Sequence, residues 1–475
     1  MQFPTIFFVI KYINMEILET AMERKIFGTD GIRGKLNVFP MTADLMLKLG
    51  YAAARVFAKS CKHKGERHKV IIGKDTRASG YIFEYALAAG LTAMGIDVYF
   101  VGPMPTPAIA HLTKSFAADA GIVISASHNP AGDNGIKFFS ADGYKLPDEL
   151  ELEMESLIFS NKLDAGHIKP EDVGKAWKIE DARGRYIEFA KGTINNTSLK
   201  GFKIVLDCSN GAAYQVAPLI FEELGAEVIT LNNTPDGLNI NKDCGSLHPE
   251  KLKNIILENN ADIGIALDGD ADRLILVDEK GNVVDGDKIL AIAAKNMKKE
   301  GALNNDTVVG TIMANVGFDE AMQKNQIKIK KSVVGDRYVI DAMKKNNLNL
   351  GGEQSGHIIF GDHVTTGDGT ITALQILKIM RKEVAPLSRL ASCMQSYPQV
   401  LINLPVKEKK PLEELQTVTE KIKEIEKKVE NSGRVLVRYS GTQKVCRIMI
   451  EGKDKEIITE YANDIAKVVQ EEIGV

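Results

Sequence analysis

Cysteine is scarce and scattered. Five thiols (Cys61, Cys208, Cys244, Cys393, Cys446) are spread over 475 residues, with no Cys-x-x-Cys pair and no histidine set beside them. That argues against a disulfide framework or a zinc site, and it fits a reducing cytoplasm in which the thiols are small apolar fillers. No apolar run approaches the ~20 residues that span a bilayer. The nearest is Phe3–Ile13, and it lacks the positive start and small-residue cleavage site of a signal peptide. Charge of one sign is also missing. The formal net charge is -3, so no basic field draws in nucleic acid or an anionic membrane, and any anion must be caught by a local site. There is no Gly-x-x-x-x-Gly-Lys-Ser/Thr cradle for ATP and no Gly-x-Ser-x-Gly elbow of a hydrolase triad.

What remains is an ordinary globular composition, 44% hydrophobic and 26% charged, on a chain too long for one core. Its length implies three or four domains of about 100–200 residues. One pattern recurs three times: a β-branched run, a polar glycine-containing loop, a helix, then a second apolar run. The copies are Val70–Ile72 to Val98–Val101, Ile204–Leu206 to Val228–Leu231, and Val308–Val309 to Ile327–Val334. Short buried strands alternating with helices predict parallel sheets with right-handed crossovers. The last ~75 residues read as a smaller α+β module. It has a Glu/Lys-rich helix over Pro411–Val429, strands Arg434–Arg438 and Cys446–Glu451, and a helix over Lys455–Ile473.

The strongest local signal is Asp268-Gly269-Asp270-Ala271-Asp272-Arg273 after the apolar strand Ile263–Leu267. In extended chain alternate carboxylates face one way, and three so close repel unless a cation neutralises them. Oxygen-only ligands suit Mg²⁺; a solvated acidic turn is the alternative. An EF-hand with Glu279 at its twelfth position is discarded, because Arg273 stands where the turn glycine belongs. Ser125-Ala126-Ser127-His128-Asn129-Pro130 follows the apolar run Ile122–Ile124, and open α/β sheets place ligands at such strand ends. A serine nucleophile there would be activated by His128 or Lys137; an ordinary polar turn is the alternative. Gly351-Gly352-Glu353-Gln354-Ser355-Gly356-His357 offers hydrogen-bonding groups between glycines, as sugar hydroxyls require. Arg438-Tyr439-Ser440-Gly441-Thr442 with Arg447 reads as a phosphate cradle or as a plain hairpin turn. The glycine-rich segment Phe27–Gly34 carries Arg33.

In this order the five segments resemble the α-D-phosphohexomutase superfamily from about residue 24 to the end. The phrases Phe27–Gly34, Ile124–Pro130, Asp268–Arg273, Pro235–Asn241, Cys244–Glu250, Val334–Val339 and Gly351–His357 are most similar to the phosphoglucosamine mutases within it. The resemblance implies three similar mixed α/β domains plus a smaller C-terminal α+β domain around a central cleft. Their expected bounds are 24–180, 181–300, 301–400 and 401–475, with 1–23 an extension or disordered segment. It implies a phosphoserine at Ser127 and one Mg²⁺ held by Ser127, Asp268, Asp270 and Asp272. Lys137, Arg33, Arg273 and His357 would line the catalytic centre, with Lys137 or His357 as general base. Glu353 and Ser355 would bind sugar hydroxyls. Arg438, Ser440, Gly441, Thr442 and Arg447 would hold the phosphate that is not reacting.

The implied activity interconverts glucosamine 6-phosphate and glucosamine 1-phosphate through a 1,6-bisphosphate, with a hexose 1,6-bisphosphate as activator, in support of UDP-N-acetylglucosamine and cell-wall synthesis. The partner is a small phosphosugar, with no nucleic acid and no membrane, in the cytoplasm; a homodimer stays open. A phosphomannomutase or phosphoglucomutase, a phosphatase and a non-catalytic sugar-phosphate sensor are the alternatives. The family's last loop runs Arg-x-Ser-Gly-Thr-Glu-Pro, and here Gln443 and Lys444 replace Glu and Pro, so the loop is expected to be less rigid.

Overall fold

The computed structural model describes residues 24–60, 67–160, 163, 168–429, 433–440 and 444–475. The expectation of an extension over 1–23, and Cys61, Gly441, Thr442 and Gln443, lie outside the described residues. The chain divides into two compact units. One runs to Met313 and includes Ile327–Ala391; the other comprises Ala314–Gln326 and Ser392–Val475.

The first unit holds three sheets. The N-terminal sheet uses β1 (Phe27–Gly28), β2 (Gly31–Lys35), β3 (Lys69–Lys74), β4 (Asp97–Pro103), β5 (Ala120–Ile124), β6 (Asp133–Ser140) and β7 (Ala176–Lys178). Its helices are α1 (Ala43–Ser60), α2 (Gly80–Thr92), α3 (Thr106–Ser115) and α4 (Asp148–Phe159). Strand order is β1-β2-β6-β5-β3-β4-β7. Its core includes Ile32, Met46, Leu49, Val70, Ile72, Phe83 and Leu87, all fully buried.

The second sheet follows α5 (Ala182–Gly192). It contains β8 (Lys203–Asp207), β9 (Glu227–Leu231), β10 (Ile263–Leu267), β11 (Leu274–Asp278) and β12 (Val283–Val284), with α6 (Val216–Glu223), α7 (Leu252–Asn259) and α8 (Gly286–Lys299). The third has β13 (Thr307–Thr311), β14 (Lys328–Ser332), β15 (Leu350–Gly352) and β16 (Ile358–Phe360). The connection from β13 to β14 carries α9 (Val316–Lys324), and α10 (Asp336–Asn346), α11 (Gly369–Glu383) and α12 (Leu387–Ala391) complete the segment.

The three predicted crossovers are parallel pairs: β3 with β4, β8 with β9, and β13 with β14. The sheets are not wholly parallel, which corrects the simplest reading of those runs. In each, one further parallel strand turns back into an antiparallel partner: β5 into β6, β10 into β11, β15 into β16. Strands covered on both faces are continuously apolar whichever way they run, so their direction leaves no mark on the pattern. Every residue of β5, β10 and β11 is buried. The consequence is functional: the Ser127, Asp268–Asp272 and Glu353–His357 segments are all tips of these hairpins.

The second unit has β17 (Gln399–Pro405), α13 (Gln416–Val429), β18 (Gly433–Tyr439), β19 (Val445–Gly452) and α14 (Lys455–Ile473). Its antiparallel sheet runs β17-β19-β18. The helix expected from Pro411 starts at Gln416, because a short 3₁₀ turn at Leu412–Glu414 ends at Leu415 with ψ 84, outside the helical region. Asn315, ahead of α9, caps Gly317 N–H at 3.0 Å and exchanges hydrogen bonds with the Tyr397 backbone.

Candidate active site

Ser127 sits at the tip of the β5–β6 hairpin, 1% exposed, with φ +52. A non-glycine residue in that left-handed region costs of order 1–3 kcal/mol and persists only where its surroundings hold it. Arg77 holds it. This fully buried guanidinium donates to the carbonyls of Ser127 (3.1 Å), Asn129 (2.8 Å), Asp133 (3.0 Å) and Pro130. Its Nε donates to Asp75 at 2.8 Å, and Asp75 accepts from Ser125 Oγ at 2.6 Å. From the second sheet Asn241 Nδ2 donates to Ser127 O at 2.8 Å. Gly269 lies so near that a Cβ there would fall 2.6 Å from Ser127 O, so only glycine admits this approach of two backbones.

That approach brings Ser127 Oγ within 2.6 Å of Asp268 Oδ2. The carboxylates of Asp268, Asp270 and Asp272 are buried, and their nearest oxygens all lie within 4.8 Å of one another. They do not converge as alternate residues of an extended strand. The segment turns, with Ala271 at φ +55 and its N–H on Asp268 O at 3.1 Å, and so wraps three carboxylates around one point. Lys137 Nζ reaches Asp270 at 2.8 Å, Asp272 at 3.1 Å and Asp30 at 3.2 Å. Arg33 pairs with Asp30, and Lys145 bridges Asp30 and Asp336. Arg273 N–H donates to Asp268 at 3.2 Å, and its Nε lies 3.8 Å from Asp272. His357 puts Nδ1 3.6 Å from Asp272, while its Nε2 accepts Gly367 N–H at 3.0 Å. In the neutral ring the proton therefore belongs on Nδ1, facing Asp272.

Electrostatics divides the triad. Burial and the charges of Asp270 and Asp272 push Asp268 well above the usual carboxylate range. Asp272 and Asp30 feel the same burial, but Lys137 and His357 hold the first well below that range, and Lys137, Lys145 and Arg33 the second. Burial alone would lower Lys137; the carboxylates around it hold it well above its ordinary value. His128, 3.3 Å from Ser127 Oγ, is pushed down to about 4 by burial and then by Arg273 and Arg33. It is a neutral ring at neutral pH.

The donor set fits a hard divalent cation. All three groups are carboxylates, and Asp270 Oδ1 is buried with no hydrogen-bond partner among the described residues. Among the described residues Asp272 Oδ1 has only the long contacts to His357 and Arg273. The proton that burial favours on Asp268 is the charge such a cation would replace.

The third hairpin tip packs on the second. Gly356 adopts φ +90, and a Cβ there would meet Leu274 O at 1.9 Å. Glu353 accepts Gly335 N–H at 2.8 Å, and Ser355 Oγ lies 3.5 Å from its other oxygen. In the second unit Arg438 and Arg447 face each other directly across β18 and β19, and Arg447 Nε is buried without a hydrogen-bond partner among the described residues. Like charges opposite one another destabilise a strand pair, so this arrangement favours an anion. Burial and Arg447 lower Arg438. Ser440, at the end of β18, is 4% exposed.

Sequence reasoning missed Asp30, Arg77, Thr106, Lys145 and Asp336, which complete the network in the first unit. Asp30 and Asp336 stand inside the phrases Phe27–Gly34 and Val334–Val339, the available signal for them. Thr106 Oγ1 donates to Asp270 Oδ2 at 2.6 Å from a segment with no motif of its own.

Comparison with known proteins agrees with the fold. The phosphoglucomutase/phosphomannomutase alpha/beta/alpha domains I, II and III match residues 24–165, 184–281 and 285–397, and the C-terminal domain of that family matches 401–468. A phosphoglucosamine mutase of Geobacter sp. (strain M21) is 55% identical over 452 residues, covering 95% of this chain and 99% of the relative. Another, from Syntrophotalea carbinolica, is 53% identical over 96% of this chain and 99% of its own length. A solved phosphoglucomutase/phosphomannomutase family protein of Burkholderia thailandensis superposes with a TM-score of 0.77 at 23% identity, over 95% of this chain and 99% of its own. The Aspergillus fumigatus N-acetylphosphoglucosamine mutase, solved with GlcNAc-6P and magnesium, does so with 0.63 at 17% identity, over 97% and 99%. The chain belongs to the α-D-phosphohexomutase superfamily and, within it, to the phosphoglucosamine mutase family.

Proposed function

We propose that this enzyme interconverts glucosamine 6-phosphate and glucosamine 1-phosphate by passing a phosphoryl group through Ser127. The observation that carries the reading is the 2.6 Å contact between Ser127 Oγ and Asp268, inside a buried ring of three carboxylates. Phosphoryl transfer needs positioning and charge neutralisation more than covalent chemistry. Asp268, Asp270 and Asp272 would hold Mg²⁺ together with the phosphorylated Ser127. The ion supplies electrophilic stabilisation of the transferring group.

The chain's own residues do the rest. Arg77 and Asn241 grip the carbonyl of Ser127 and fix where its Oγ points. Arg33 and Arg273 add fixed positive charge around the transferring oxygens. In the forward half, phosphoserine 127 donates to O1 of the sugar 6-phosphate and a 1,6-bisphosphate forms. The sugar then turns over, and Ser127 takes the phosphoryl group back from O6. Glu353 and Ser355 bind the sugar hydroxyls, while Arg438, Ser440, Gly441, Thr442 and Arg447 hold the phosphate at rest. Lys137 or His357 would be the general base that takes the proton of the attacking hydroxyl. A dephosphorylated enzyme would be primed by a hexose 1,6-bisphosphate.

A cytoplasmic site of action fits the free thiols of Cys208, Cys244 and Cys446. Among the described residues no helix is long and apolar enough to cross a membrane. The deciding experiment is a coupled assay for glucosamine 1-phosphate with Mg²⁺ and bisphosphate primer, repeated with mannose and glucose 6-phosphates. The highest kcat/KM is expected for the amino sugar. A preference for either neutral hexose, or release of inorganic phosphate without isomerised sugar, would displace this reading.

A further inference from the structure

We infer that Thr106 is a positioning residue for the cation: its hydroxyl occupies one oxygen of Asp270 and leaves the other free to bind metal. The inference rests on the Mg²⁺ reading above and goes beyond it. Thr106 is the first residue of α3, lies between Pro105 and Pro107, and is fully buried. It holds Asp270 at two points. Its N–H, one of the donors a helix start leaves without an intrahelical partner, bonds Asp270 O at 2.9 Å, and its Oγ1 donates to Asp270 Oδ2 at 2.6 Å. Lys137 Nζ donates to the same Oδ2 at 2.8 Å. Both donors fall on Oδ2, while Oδ1 has no hydrogen-bond partner among the described residues and is buried in the carboxylate ring.

The asymmetry has a physical consequence. A carboxylate free to rotate would offer either oxygen and pay entropy to settle. Two donors on Oδ2 fix the rotamer beforehand, and groups that orient a metal ligand in this way are worth about 10–100-fold in metal affinity. The flanking prolines restrict φ on both sides, so the hydroxyl is held where Asp270 needs it. Lys137 cannot substitute for it, since the same ammonium is divided among Asp270, Asp272 and Asp30.

The test is Mn²⁺ binding to the full chain followed by electron paramagnetic resonance, which reads the site without turnover. Thr106→Val keeps the shape and the backbone bond but removes the donor. Its Kd for Mn²⁺ is expected to rise about 10–100-fold, with most of the affinity restored in Thr106→Ser. The mutase rate of Thr106→Val should recover as Mg²⁺ is raised. If Thr106→Val does not fold, Thr106→Ser against Thr106→Ala isolates the same hydroxyl, and alanine should bind less tightly by a comparable factor. Equal Kd values with and without the hydroxyl would overturn the inference while the cation site stands. Absence of a stoichiometric Mn²⁺ site in the wild type, or undiminished binding by Asp270→Asn, would overturn the Mg²⁺ reading and this inference together.

Discussion

Arg77 never touches substrate in this account, yet replacing it should be among the most damaging changes available. Arg77→Met keeps the apolar stem and deletes the guanidinium. The carbonyls of Ser127, Asn129, Pro130 and Asp133 lose a donor, and Asp75, 1% exposed, loses its counter-charge. Removing one partner of a buried pair costs about 3–5 kcal/mol, since the survivor is left charged and dry. Burial already raises Asp75, and Arg77 is the first of the groups opposing that rise. With ~2–4 °C per kcal/mol for a domain of this size, the N-terminal transition should fall by about 10 °C. Hydrogen exchange should show the Ser125–Asp133 segment losing protection beyond the rest of its sheet. The double variant Asp75→Asn/Arg77→Met removes the stranded charge and should recover part of the lost stability, though not activity, because Ser127 would still lack its grip. A loss below about 1 kcal/mol, or a double variant less stable than the single one, would refute the reasoning.

Two further outcomes follow from particular groups. Burial lifts Asp368 to about 7, against the donors Ile371 N–H and Tyr186 O–H. A raised carboxyl favours the folded state at low pH, and that contribution is lost as pH rises from about 4 to about 7, by up to ~4 kcal/mol. Asp368→Asn keeps the acceptor and removes the titration, so its melting temperature relative to wild type should climb over that interval; a constant difference would contradict the assignment. In the second unit, Arg447→Ala leaves Arg438 without its cationic neighbour but removes half of the proposed phosphate anchor. KM for the phosphosugar should rise about 10–100-fold while kcat changes less, on ~1.5–3 kcal/mol for a charged hydrogen bond. An unchanged KM would move that anchor elsewhere.

Much of this protein is legible in its sequence, and the boundary of what is legible has a physical cause. The β-branched runs and amphipathic stretches mark the crossovers because burial imposes periodicity on them. They do not mark β5, β10 and β15 as the strands that turn back into antiparallel partners, since a strand buried on both faces reads alike in either direction. The site residues within distinctive short phrases, such as Ser127 and Asp270, announce themselves through unusual local chemistry. Thr106, Arg77 and Lys145 do not, because a threonine before a proline or an arginine after a strand is commonplace until the fold sets it beside a carboxylate or a carbonyl. The Asp268–Asp272 triad is instructive in both directions. Its composition marks a candidate cation site, but its geometry comes from a left-handed turn at Ala271 rather than from strand alternation. Gly269 is needed because Ser127 O passes where a side chain would be.

The central claim is that one hydroxyl oxygen, at Ser127, carries the phosphoryl group between turnovers. Incubating the purified enzyme with a radiolabelled hexose 1,6-bisphosphate and mapping the labelled peptide tests it most directly. The account predicts one label per chain on Ser127, transferable to added glucosamine 6-phosphate and absent from an inactive Ser127→Ala. Label on any other residue, or near-wild-type turnover by Ser127→Ala, would contradict it.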